Sequence, residues 1–72
     1  MSQEQTLRAA VRTAKSEREA ASLSFQEARE LRRDRLISNE LYQLVSRAYE
    51  VTVQHHAAAS ADLLAYSEEQ HR

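Results

Sequence analysis

Arg29-Glu30-Leu31-Arg32-Arg33-Asp34-Arg35-Leu36-Ile37-Ser38-Asn39-Glu40-Leu41-Tyr42 is the stretch that decides the fold, because it holds the one convincing break between two long helical patterns. Arg32, Arg33 and Arg35 crowd what reads as a last helical turn, where cations favour the negative end of the helix dipole. This stop signal carries charge but no glycine. Ser38 then offers a hydroxyl that can accept a hydrogen bond from an otherwise unpaired first-turn amide, and Glu40 places a carboxylate where a helix start favours one. Ile37 and Tyr42 occupy the N′ and N4 positions of that cap, the pair that forms a hydrophobic staple. Three local signals agree on one boundary, almost at the midpoint of the 72 residues.

On either side the chain is made mostly of good helix formers, with twelve alanines, no glycine and no proline. Before the break, Leu7, Ala10 and Val11, Ala14, Ala21, Phe25, Ala28 and Leu31 recur at spacings that keep them on one helical face, with Glu17 and Arg18 as an interruption. Arg8, Arg12, Lys15, Glu19, Glu27 and Glu30 read as the solvated face, with Glu4 and Arg8 as a favourable i,i+4 pair. After the break there are two candidate apolar stripes. One is Val45, Tyr49, Thr52, His56, Ala59, Leu63 and Tyr66; beside it run Leu41, Leu44, Ala48, Val51, His55 and Ala58. A helix with a doubled apolar face has more than one neighbour, so one stripe is expected on the first helix and the other on another subunit.

One unbroken helix would be about 108 Å long, and nothing in the residue types forbids it. A short connector between antiparallel neighbours is the commoner solution. Charge supports it: residues 1–35 carry eight basic and six acidic side chains, residues 36–72 two basic and five acidic, an asymmetry that favours antiparallel pairing of the halves. The expected fold is all-α, a two-helix antiparallel coiled-coil hairpin forming a single domain, with a helix over about 3–35, a tip at about 35–38 and a helix over about 39–70.

Such a hairpin is small. Leu, Ile, Val and Phe together number 14 of 72 residues, alanine buries little surface, and below roughly 70–80 residues one core seldom stabilises a fold alone. Self-association, docking on another protein, or membership of a longer chain is therefore expected. The opening Met1-Ser2-Gln3-Glu4-Gln5 lacks the basic and apolar regions of a signal peptide, and no run approaches the roughly 20 apolar residues of a membrane span. A soluble chain is expected.

Candidate chemistry is sparse. The chain has no cysteine, so disulfides and thiolate metal sites are excluded. His55 and His56 are adjacent and point about 100° apart on a helix, whereas chelating pairs sit at i and i+4; those positions here are Ala59 and Ser60. No metal or cofactor is expected. Without glycine there is no nucleophile elbow or phosphate-cradling loop, and the chain is read as non-enzymatic. Arg29, Arg32, Arg33 and Arg35 form a small basic cluster, but Glu27, Glu30 and Asp34 lie among them, so helix-end electrostatics accounts for them better than nucleic-acid binding. Tyr42, Tyr49 and Tyr66, each with an apolar ring and a polar tip, suit a half-exposed helical seam.

Glu27-Ala28-Arg29-Glu30-Leu31, running through Leu36-Ile37-Ser38-Asn39-Glu40-Leu41-Tyr42 to Arg47-Ala48-Tyr49-Glu50, resembles the α-helical hairpin of bacterial membrane-fusion proteins. These are the periplasmic adaptors of HlyD-like type I secretion and of tripartite efflux pumps. The family's tip pattern is an arginine, a leucine four residues on and a serine seven after that, which engage an outer-membrane channel of TolC type. Leu31 and Ser38 match in spacing; Glu27 stands at the arginine position, and Gln43 where many members carry an acidic residue. The resemblance implies a module without chemistry of its own, in the periplasm, partnered by the channel and by neighbouring copies of itself. It places the partner-binding tip at Leu31, Arg35, Leu36, Ile37 and Ser38: apolar contact from Leu31 and Ile37, charge from Arg35, and a cap with a spare hydrogen bond from Ser38. It also implies a longer parent protein, since the family's lipoyl-like and β-barrel domains fall outside these residues. The alternative, from another class, is a free-standing cytoplasmic regulator that dimerises into a four-helix bundle and binds RNA or a protein along its sides.

Overall fold

The computed structural model describes residues 2–71, which form two helices, α1 (Gln3–Arg33) and α2 (Asn39–Gln70). They fold back on each other into a rod of 54 × 18 × 13 Å, half the length of an unbroken helix. The hairpin is thus the fold, and its break lies where the capping residues place it.

Each helix starts on a serine with extended backbone. At Ser38 (φ −74°, ψ 158°) the hydroxyl accepts from the Leu41 amide at 3.1 Å, with Glu40 in the first turn. At Ser2 the geometry is nearly the same, and a capping box forms: the Gln5 amide donates to the Ser2 hydroxyl at 3.1 Å while the Gln5 side chain accepts from the Ser2 amide at 3.4 Å. Ser-x-x-Gln is readable in Ser2-Gln3-Glu4-Gln5, a start signal of the same kind as Ser38.

The seam has an unbroken heptad rhythm on both helices. On α1 it runs Leu7, Val11, Ala14, Arg18, Ala21, Phe25, Ala28 and Arg32; on α2 it runs Tyr42, Val45, Tyr49, Thr52, His56, Ala59, Leu63 and Tyr66. Steps of three and four alternate throughout, as a coiled-coil seam requires. Two expectations are corrected here. Ala10 is exposed, because it lies about 100° round the helix from its neighbour Val11; Arg18 does not interrupt the stripe but stands on it, half-buried.

The cross-seam contacts fix the register. Phe25 meets Tyr49 edge-on with ring centroids 5.2 Å apart, and Tyr42 tilted at 5.9 Å. Seven residues back along α1 and seven forward along α2, Arg18 Nη1 lies 3.1 Å from His56 Nδ1. Arginine has only donors, so Nδ1 accepts and the ring proton sits on Nε2. Thr52, the other polar seam residue on α2, satisfies its hydroxyl on the Tyr49 carbonyl at 2.6 Å. The charge asymmetry of the two halves is not expressed as contact: among the described residues the ion pair within 4 Å is Glu4 with Arg8, inside α1 at 2.9 Å.

The interior is thin. Among the described residues only Ala14 and Ala28 are buried, at 7% and 5% exposure, and no large side chain is fully enclosed. Alanines let the helices approach closely but bring little apolar area with them. No described helix is long and apolar enough to cross a membrane.

Candidate functional site

The tip comprises residues 34–38, between the helix ends. Its first half is a Schellman turn. The Arg35 amide donates to the Arg32 carbonyl at 3.0 Å and the Leu36 amide to the Leu31 carbonyl at 2.8 Å, closing the end of α1 behind the C-cap residue Asp34. Such a turn needs one residue in the left-handed region, and here that residue is Arg35, at φ 60°. Arg35 is therefore not part of the last helical turn, where Arg32 and Arg33 stand. It sits beyond the helix, because a chain without glycine must put a side-chain-bearing residue at that position.

The second half of the tip is the Ser38 cap. Its hydroxyl is engaged by Leu41, which leaves its own proton and one lone pair available. The Schellman turn thus closes the first half of the tip and the Ser38 hydroxyl caps the second. Arg35 is exposed, and Leu36 is 70% exposed, the highest value among the exposed large apolar residues. Ile37 and Leu31 are half-buried, Ile37 as the N′ residue of the cap and Leu31 on the last turns of α1. The five expected tip residues therefore divide. Arg35, Leu36 and Ser38 face outward, while Leu31 and Ile37 back them.

Behind the tip lies a small aromatic box. The Arg29 guanidinium carbon is 6.0 Å from the centre of the Phe25 ring, which also carries Tyr42 and Tyr49. All three tyrosines are half-buried along the seam. Of the basic cluster read from the sequence, Arg32 is half-buried while Arg29, Arg33 and Arg35 are exposed, Arg29 lying over the Phe25 ring of its own helix. Glu27, at the arginine position of the resemblance, is exposed on α1. His56 is held by Arg18 and His55 faces outward; among the described residues no group of three or more metal-ligating side chains is gathered.

A second feature has no equivalent among the tip residues. Of the two α2 stripes, the one with three tyrosines faces α1, and the other is left uncovered: Leu41, Leu44 and Val51 are 46%, 61% and 47% exposed. The sequence could not choose between them, since both have the same period. Ring contact with Phe25 decides the matter, because a tyrosine ring buries more surface than the alanine or leucine beside it. No known protein family, no curated protein and no solved structure gives a match to this chain.

Proposed function

We propose that this hairpin is a non-enzymatic docking module that engages a partner protein through its tip, in the manner of the channel-docking hairpin of a periplasmic adaptor in efflux or type I secretion. The observation that carries the reading is the tip itself: a Schellman turn closed by the Arg35 and Leu36 amides, with Arg35 and Leu36 facing outward at its apex. Non-glycine residues held at positive φ cost free energy and cluster where function retains them. The partner of this reading is an outer-membrane channel of TolC type. Each tip contact is small, so individual binding is weak and gains strength from several copies presented together.

The test is retention of a TolC-type channel by the hairpin displayed on a ring-forming scaffold. Leu36→Asp and Leu31→Ala are each expected to lower retention at least tenfold, with the helical circular dichroism of the hairpin unchanged. Full retention by both variants removes the tip from the interface. The second reading, a dimeric bundle that binds RNA or a protein along its sides, is favoured by the uncovered stripe of α2 and predicts that both tip variants behave as wild type.

A further inference from the structure

We infer that the uncovered stripe of α2, formed by Leu41, Leu44, Ala48, Val51, His55 and Ala58, is the contact between two copies of this chain, packed antiparallel about a two-fold axis between Ala48 and Val51. This inference uses none of the tip residues, but an antiparallel pair points its two tips in opposite directions, so it goes with the second reading, the dimeric bundle, and not with tips presented side by side.

Area is the first argument. The chain exposes 5757 Å², whereas a folded monomer of 8.3 kDa exposes roughly 4,600 Å² by the usual size scaling. The excess, about 1,200 Å² per chain, exceeds the roughly 800 Å² that each partner hides in a standard stable interface. A hairpin with two buried alanines has surface to lose and little core to keep it folded alone.

Periodicity is the second. The uncovered residues repeat at alternating steps of three and four, the same rhythm as the seam but one residue out of phase. A partner helix can pack along such a row with the same knobs-into-holes geometry that α1 uses on the other. Between Leu41 and Ala58 the row contains no acidic or basic residue apart from the imidazole of His55. Asp62 ends it.

Self-complementarity is the third, and it selects the occupant. In an antiparallel pair with the axis between Ala48 and Val51, Leu41 faces Ala58 of the second copy, Leu44 faces His55 and Ala48 faces Val51. The bulkier side chains at one end of the row meet alanines or a flat ring from the other, as an interdigitated layer needs. One patch used twice is what a two-fold interface requires. The outer face of α1 is no rival, because Arg8, Arg12, Lys15, Glu19, Glu27 and Glu30 cover it with charge. An anionic membrane surface is no better match: the helix carries five acidic side chains against one basic among its described residues.

The experiment is sedimentation equilibrium of the whole 72-residue chain over a concentration series, with Leu44→Glu and, as a control on the outer face of α1, Leu23→Glu. A species of twice the chain mass is expected, with its dissociation constant raised at least tenfold by Leu44→Glu and left within twofold by Leu23→Glu. A strictly monomeric chain overturns the inference, as does a dimer indifferent to Leu44→Glu. To separate loss of the interface from loss of folding in Leu44→Glu, a second measurement keeps the wild-type stripe intact. Spin labels on Glu40→Cys, in a chain with no other cysteine, should lie about 28 Å apart along the helix axes in the antiparallel pair. A separation of about 10 Å, the spacing of parallel helices side by side, overturns the arrangement.

Discussion

Arg35 concentrates the conflict between stability and display in a single residue. Its φ of 60° closes the Schellman turn and aims a cation outward from the apex, at a steric cost of about 1–2 kcal/mol that glycine would not incur. Glycine has its own cost in the greater freedom of the unfolded chain. Arg35→Gly is therefore expected to stabilise the hairpin by about 0.5–1 kcal/mol, raising the thermal midpoint by roughly 2–8 °C, while weakening capture of the partner at the tip. A lowered midpoint would mean that the Arg35 side chain stabilises the tip by more than its backbone strain costs. Arg18 shows the other kind of single-residue effect. Its hydrogen bond to His56 crosses the seam at a position where apolar side chains are the rule, and such a polar layer specifies register at a cost in stability. A double-mutant cycle with Arg18→Leu and His56→Leu should return a coupling of about 1 kcal/mol. The double variant should melt above wild type, with a register less sharply defined in label-to-label distances. A coupling near zero would reduce the contact to coincidence.

The helices were legible where local chemistry speaks and illegible where two neighbours compete. Ser38, Glu40, Ile37 and Tyr42 placed the start of α2 correctly, because a cap depends on residues within four positions of itself. Helix α1 ends at Arg33, two residues before the expected boundary. Arginines mark a C-terminus only through the helix dipole, which spreads over a turn, whereas glycine would have marked the residue at which the chain turns left-handed. Arg18 reads as an interruption by its charge but as a seam residue by its heptad position, and the seam position is the one it holds. The choice between the stripes of α2 was out of reach for a different reason. It depends on what Phe25 meets across the seam, a long-range contact that no window along one helix contains. Of the tip, the location was readable, but the division between outward and backing residues was not, since it follows from the turn geometry at Arg35 and Leu36.

For the molecule as a whole, surface dominates. A rod 54 Å long and 13 Å across its thinnest direction cannot enclose a core, and chains of this size usually draw stability from partners or staples. Folding coupled to association has a thermal signature that folding alone lacks: the midpoint depends on protein concentration. A hundredfold increase in concentration is expected to raise the midpoint of this chain by several degrees in scanning calorimetry. A midpoint constant over that range would assign all of the stability to the single hairpin.

The one-residue offset between the stripes of α2 can also be described as a question of rotation. Rolling α2 by about 100° would present Leu41, Leu44, Ala48, Val51, His55, Ala58, Asp62 and Ala65 to α1 in place of the residues now there. Around residues 55–59 the roll changes nothing, because the doublets His55-His56 and Ala58-Ala59 offer the same side chains in either orientation. The ends discriminate: a roll would exchange Leu63 for Asp62 and strip Phe25 of Tyr49, leaving Ala48 beside it. The hairpin is thus locked against rotation at its two extremities, by aromatic rings near the tip and a carboxylate near the open end, around a centre that is indifferent to which way α2 faces.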